Sequence, residues 1–313
     1  MPVTRAVITA GGRGTRQFPA TASLQKEMIP LVDCDGLCKP TLQLVAEEAL
    51  QSGVEQICIV TAPGGERVLQ RHFRELEEEE RARLANKPEA LEQAQRLAEM
   101  QGAISYVLQP EPLGFGDAVL CAREFIGHQP FLLLLGDHVY LSGEERRCAR
   151  QLLDVWDRYH CPVSGVARTP AAQLHLFGTV AGEPVPEVPG LYEAHEFQEK
   201  PSLEYAREHL RTPGLSEDSY LCFLGMHVLT PAIFDCLEAQ REQGQRERGE
   251  FQLTTAQELL RQRGRYLAAE VCGSRHDMGT PEGLVETQVA LALRSPYASV
   301  VRQASQEADQ QCE

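Results

Sequence analysis

The first residues equipped for chemistry are Gly11-Gly12-Arg13-Gly14-Thr15-Arg16, which follow the apolar run Val3–Thr9 directly. Glycines let a backbone approach a phosphate closely and turn its N–H groups inward. Arg16 adds a planar fork that can pair with phosphate oxygens bidentately. The glycine spacing is not that of a dinucleotide-binding fingerprint, and no Gly-Lys-Ser/Thr closes the loop as a Walker A motif would. Taken alone, the glycines fit a tight turn between a strand and a loop equally well. A second signal is scarcity. Of 30 cationic residues only four are lysines, at Lys26, Lys39, Lys87 and Lys200. Lysine is a slender point charge where arginine is a wide fork, so in an arginine-using chain a lysine marks a place that needs one. His138 and His276 each adjoin an aspartate, Asp137 and Asp277. A histidine there can ligate a metal, but supporting or structural roles are the better reading of both.

Elements must hold these residues in place. Val3–Thr9, Glu55–Thr61, Ile104–Gln109, Phe131–Leu135 and Pro162–Ala167 are continuous apolar runs of strand length. Helical periodicity separates them at Leu42–Gln51, around Glu66–Phe73, at Phe115–Ile126 and at Glu144–Tyr159. Glu75–Gln101 reads as a solvated helix pair broken near Asn86-Lys87-Pro88. Such βαβ alternation implies a parallel sheet covered on both faces, with ligands beyond the carboxyl ends of its strands. The segments leaving strands at that end are AGGRGTR, QPEPLGFGD and GDH. After residue 170 the pattern loosens. A loop or hairpin is expected at Gly182–Gly190, strands at Ala194–Gln198, Tyr220–Leu229 and Arg265–Cys272, and helices at Pro231–Gln240, Leu253–Gln262 and Glu282–Leu293. The polar stretch after Ser295-Pro296 reads as a frayed tail.

The net charge of -15 argues against nucleic acid and anionic membrane surfaces as partners. It leaves room for an anionic small molecule held by a few local cations. The N-terminus lacks the basic region and long apolar segment of a signal peptide, and no run approaches a bilayer span. The ten scattered cysteines include one close pair, Cys34/Cys38, with no second pair to complete a zinc set. They read as small buried hydrophobes of a reducing compartment, which points to the cytoplasm.

The segment AGGRGTRQFPATASLQKEMIPLVD resembles the opening of the nucleoside-diphosphate-sugar pyrophosphorylases, most closely the bacterial UTP–glucose-1-phosphate uridylyltransferase branch. The resemblance continues through QPEPLGFGDAVLCA at Gln109–Ala122, the strand ending at Asp137, FGTV at Phe177–Val180, EKP at Glu199–Pro201 and HDMGT at His276–Thr280. Each match is weak alone. Their order along about the first 294 residues is specific.

The resemblance implies an α/β fold of the nucleotide-diphospho-sugar transferase type, with a Rossmann-like mixed, mainly parallel sheet and helices on both faces. Residues 1–294 would form one domain, 1–170 holding the nucleotide and 171–294 the sugar phosphate, before a polar tail at 295–313. The implied reaction joins an NTP, UTP foremost, to a hexose 1-phosphate and releases pyrophosphate, with Mg2+ as cofactor. No side chain need act as nucleophile; positioning and charge neutralisation suffice. Arg16 and Lys26 would neutralise the triphosphate and Lys200 would grip the sugar phosphate. Asp137 and Asp277 would hold Mg2+, a hard ion that favours carboxylates. Ala10, Gly11 and Gly12 would offer backbone to the nucleotide, while Gln109 and Gly114 read the base. Gly178 and Glu199 would receive the sugar. The resemblance also implies a homo-oligomer.

The chain departs from that branch in places. It has LLGDHVY where a proline before the aspartate is usual, and Leu24-Gln25 precede Lys26 where Ile-Pro is expected. These changes leave the reaction class intact and bear on the base and sugar, so a thymidylyltransferase or another NTP and sugar pairing is the nearest alternative. A metal-dependent glycosyltransferase would need an acidic pair one residue apart, which Asp137-His138-Val139 lacks. A non-catalytic regulatory relative would commonly lose motif charges, yet Arg16, Lys26, Asp137, Lys200 and Asp277 are all present.

Overall fold

The buried apolar runs form the sheet. In a computed structural model, which describes residues 1–247 and 249–311, thirteen strands are β1 Arg5–Ala10, β2 Pro30–Val32, β3 Cys38–Pro40, β4 Gln56–Thr61, β5 Ile104–Leu108, β6 Phe131–Leu135, β7 His138–Ser142, β8 Val163–Pro170, β9 Thr179–Pro184, β10 Leu191–Gln198, β11 Ser219–Leu229, β12 Leu267–Glu270 and β13 Gly273–Asp277. Nine of them make one sheet in the order β5-β4-β1-β6-β11-β8-β12-β10-β9. The run β5-β4-β1-β6 is parallel. β11 then pairs antiparallel with β6 and β8, and β10 pairs antiparallel with β12 and β9. The sheet is therefore mixed, parallel where the sequence alternates strand and helix and largely antiparallel beyond it.

Side chains alternate across this sheet and both faces are covered. Ala6, Ile8, Ile57, Ile59, Leu132 and Leu134 meet the helices Thr41–Leu50 and Cys148–Tyr159 through Leu42, Val45, Leu152 and Trp156. Val7, Cys58, Val60, Phe131 and Leu133 meet Phe115–Cys121, Ala232–Glu242 and Leu253–Gln262 through Val119, Phe234, Leu237 and Leu260. Residues from both sides of position 170 enter each core.

Two small ribbons complete the fold. β2 pairs with β3, and β7 pairs with β13. The β7–β13 ribbon sets His138 opposite Asp277 and Tyr140 opposite Arg275. It packs through Val139, Leu141 and Met278 against Leu31, Leu44 and Leu291. The sequence reading took GDH as a loop and ended the last strand at Cys272. It did not expect this ribbon, because β7 and β13 are strands only by virtue of each other.

Smaller differences concern the helices. Helix Phe115–Ile126 divides into Phe115–Cys121 and Arg123–Ile126, and the helix expected from Glu144 starts at Cys148. Leu203–His209 is an additional helix, opened by Ser202, whose side chain accepts from the Tyr205 N–H. The stretch expected to fray forms helix Ala298–Gln311. Cys312 lies outside the described residues. No disulfide joins the other nine cysteines. Among the described residues no helix is long and apolar enough to cross a membrane.

Candidate active site

Parallel pairing aligns the carboxyl ends of β1, β4 and β6, with Ala10 beside Thr61 and Thr9 beside Leu135. The glycine loop leaves β1 there and Asp137 follows β6. The loop needs glycine for space. A Cβ on Gly12 would lie 3.0 Å from Lys26 Nζ, and one on Gly11 would lie 2.9 Å from Gln109 Oε1. Both of those side chains thus sit directly against the loop backbone. Gln17 Nε2 donates to the Met278 carbonyl at 2.6 Å, tying the turn that carries Arg16 to the HDMGT segment.

Lys26 Nζ donates to Asp137 Oδ2 at 2.5 Å and lies 3.6 Å from Glu27 Oε1. Burial opposes the charge on Lys26, but Asp137 and Glu27 outweigh it and raise its pKa. Burial likewise opposes ionisation of Asp137, and Lys26 with His138 more than compensates, holding that carboxyl below its ordinary value. Glu27 behaves differently. Its near-complete burial pushes its carboxyl up to about 7, against the pull of Lys26. A carboxyl raised by folding stabilises the fold below its unfolded value of 4.5 and loses that contribution as pH rises through 7. Glu27→Gln removes the penalty. Its stability advantage over the parent should be near zero at pH 4.5 and grow to about 3 kcal/mol by pH 8. Paired melting curves across that range check this; a pH-independent offset would refute it.

Asp277 approaches Asp137 through the ribbon. Its Oδ1 accepts from the Gly279 N–H at 2.7 Å, and the Met278 N–H donates to the Asp137 carbonyl at 2.8 Å. One ligand atom each from Asp137, His138 and Asp277 lies within 4.8 Å of the others. The space over Gly279 is the meeting point. A Cβ there would stand 2.9 Å from Asp137 Oδ2, 2.9 Å from Asp277 Oδ1 and 2.8 Å from Arg16 Nη2. Two hard carboxylate oxygens facing one small gap suit a magnesium ion, which keeps several of its waters. His276 contacts Ser274 Oγ instead, at 2.9 Å.

Two cavities join at this point. One, of about 550 Å³, is lined by Gly11, Gly12, Lys26, Gln109, Gly114 and other loop residues. The second, of about 300 Å³, is lined by Gly178, Glu199, Lys200, Arg275, Asp277 and their neighbours. Arg16, Phe115, Leu135, Asp137 and Glu250 line both. Ala10 does not line the first cavity; its carbonyl accepts from Gln25 Nε2 at 3.2 Å. A larger cavity of about 650 Å³ lies away from these residues. There Lys39 is spent on Asp33 and Asp35, each at 2.7 Å, and on Glu47 at 2.9 Å.

Gln109 has a fixed orientation. Its Nε2 donates to the Gly114 carbonyl at 3.1 Å and to Asp117 Oδ2 at 2.9 Å. A carbonyl and a carboxylate can only accept, so the amide nitrogen must face them. Oε1 is left as an acceptor beside the glycine loop. In the second cavity Glu199 Oε2 accepts from Thr254 Oγ1 at 2.7 Å, and Lys200 Nζ lies 3.4 Å from Glu199 Oε1. Gly178 packs under Phe223 and Glu199.

The structure thus gathers around the two cavities Arg16, Lys26, Asp137, Lys200, Asp277, Gly11, Gly12, Gln109, Gly114, Gly178 and Glu199. Sequence reasoning missed Asp117, Thr254 and Arg275. Arg275 was within reach. It stands two residues before Asp277, on the same face of any strand that carries HDMGT.

The nucleotidyl transferase family matches residues 5–293. The chain is 36% identical over 299 residues to a UTP–glucose-1-phosphate uridylyltransferase of Staphylococcus epidermidis, covering 95% of each chain. It is 35% identical over 297 residues to the Streptococcus pneumoniae protein of the same name, covering 94% of this chain and 92% of that one. Among solved structures, a UDP-glucose pyrophosphorylase complexed with UDP-glucose is similar at a TM-score of 0.76 and 30% identity, covering 92% of this chain and 98% of that one. A UTP-bound enzyme of Acinetobacter baumannii is similar at a TM-score of 0.80 and 25% identity, covering 97% and 99%.

Proposed function

The chain belongs to the nucleotidyl transferase family, and from that premise we propose that it joins UTP to glucose 1-phosphate, giving UDP-glucose and pyrophosphate. The observation that carries this reading is the junction of the two cavities at Arg16 and Asp137. A nucleoside triphosphate in the first and a sugar phosphate in the second would meet there. The sugar phosphate oxygen attacks the α-phosphorus, the bond to the β-phosphate oxygen breaks, and pyrophosphate leaves with that electron pair. Atoms and charge balance without a protein nucleophile.

Each residue then has a task. Arg16 and Lys26 neutralise the triphosphate, and the glycine loop lets it approach the backbone. Asp137 and Asp277 would hold Mg2+, which supplies charge neutralisation on the phosphate oxygens when bound. Gln109 Oε1 accepts the ring N–H of uracil. Cytosine and adenine present a ring acceptor at the corresponding edge and would meet repulsion. Glu199 receives sugar hydroxyls and Lys200 the sugar phosphate.

Pyrophosphate release from the four common ribonucleoside triphosphates, with glucose 1-phosphate and Mg2+, tests the reading. UTP should be turned over at least about tenfold better than CTP, the cost of setting acceptor against acceptor. Equal use of both would contradict the role of Gln109. Lys200→Ala should raise the KM for the sugar phosphate by roughly ten- to a hundredfold while the KM for UTP holds. An effect confined to UTP would reassign that lysine.

A further inference from the structure

Among the described residues Arg275 forms no ion pair within 4.0 Å. It enters the second cavity from β13, two residues before Asp277. Its guanidinium stacks 4.0 Å over the Phe177 ring, and Nη1 donates to the Phe223 carbonyl at 3.3 Å. Among the described residues that is its one hydrogen bond, and no carboxylate lies within 4.0 Å of it. Two partly exposed arginines elsewhere in the fold are paired. Arg147 reaches Glu48, and Arg150 reaches Asp154 and Asp157.

A guanidinium in this position has already lost much of its water. A group of this kind is costly unless something pairs with it. The remaining N–H donors form a planar fork matched to phosphate oxygens. The location selects which phosphate. Arg275 lines the cavity of Gly178, Glu199 and Lys200 and is absent from the walls of the glycine-loop cavity. Phe177 links it to Lys200: the ring lies under the guanidinium, and the carbonyl accepts from the Lys200 N–H at 3.2 Å.

We infer that Arg275 is a second cation for the phosphate of the incoming sugar 1-phosphate, acting beside Lys200. This rests on the assignment of that cavity to the sugar phosphate. With two cations the phosphate monoester is held against rotation, which keeps one oxygen turned toward the junction at Asp137. Arg275 is the only one of the two whose charge comes from the ribbon that also carries Asp277, so ordering of the ribbon and binding of the phosphate are coupled.

The test uses Arg275→Met, which keeps an unbranched stem over Phe177, and Arg275→Lys, which keeps the charge. Steady-state kinetics with UTP and glucose 1-phosphate are compared with direct calorimetric binding of inorganic phosphate, with melting curves as a check on folding. Arg275→Met should raise the KM for the sugar phosphate by roughly ten- to a hundredfold, leave that for UTP within about twofold, and weaken inorganic phosphate by a similar factor. Arg275→Lys should recover part of both losses. An unchanged KM and phosphate affinity in the folded methionine variant would overturn the inference, as would equal changes for both substrates. If the parent enzyme turned over no sugar phosphate, the proposed reaction would fail, while loss of phosphate binding in Arg275→Met would still uphold the anion site.

Discussion

Asp137→Asn is expected to reduce turnover by roughly a thousandfold or more while the protein stays folded. The side chain keeps its shape, so the junction of the cavities keeps its volume. What goes is the charge. Asp137 Oδ2 is the acceptor of the 2.5 Å bond from Lys26 and one of the two carboxylate oxygens that face the space over Gly279. An amide there offers a weaker oxygen to a hard cation and can turn N–H groups toward it. It also leaves Lys26 with only Glu27 as a nearby carboxylate, at 3.6 Å. The metal site and the partner of Lys26 are disturbed by one change, which is why the effect should exceed that of any single binding residue. Raising Mg2+ should restore part of the rate, since the remaining ligands bind more weakly but in the same place. Near-normal turnover at ordinary Mg2+ would remove Asp137 from the metal site.

Gly279→Ala is expected to cost roughly a hundredfold in kcat, although it adds one methyl group and no charge. Gly279 is not in the left-handed region, so alanine brings no backbone strain. The methyl itself is the perturbation. It would stand within 2.9 Å of Asp137 Oδ2, Asp277 Oδ1 and Arg16 Nη2, where carbon and oxygen in contact need more than 3 Å. Either the three groups move apart or the substrate phosphates are shifted. Both misplace the reacting atoms by a fraction of an ångström or more. The methyl meets polar side-chain ends of the site and not the apolar core, so the melting temperature should fall far less than kcat. A variant with parental kcat would mean that nothing essential occupies that space.

These two residues also show where the sequence was legible. Asp137 and the glycine loop are readable because each is a short contiguous signal at the end of an apolar strand, where parallel sheets bind ligands. Lys26 and Lys200 stood out because they fall on the KEM and EKP motifs of the family resemblance, and the rarity of lysine in this chain added weight. The parallel half of the sheet was readable for the same reason: β1, β4 and β6 are buried on both faces, so their composition alone declares them. What eluded reading depends on pairings distant in sequence. β7 and β13 are 130 residues apart and become strands only by pairing, which is what sets Asp277 across from His138. Arg275 could have been read with Asp277, two residues on, but only the ribbon fixes which way the two side chains face. Asp117 reads as an ordinary polar residue at a helix start, and only the 2.9 Å bond to Gln109 Nε2 gives it meaning. Glu27 likewise looks exposed in the string LQKEM, yet it is 1% exposed beneath Lys26.

In the proposed reaction the nucleotide and the sugar phosphate meet across the junction at Arg16 and Asp137. The most direct measurement is to incubate the folded protein with UTP, glucose 1-phosphate and Mg2+ and to quantify UDP-glucose and pyrophosphate together. The two should appear in equal amounts, and both should stop when Mg2+ is chelated. Pyrophosphate without UDP-glucose, or no product from folded protein that still binds UTP, would contradict it.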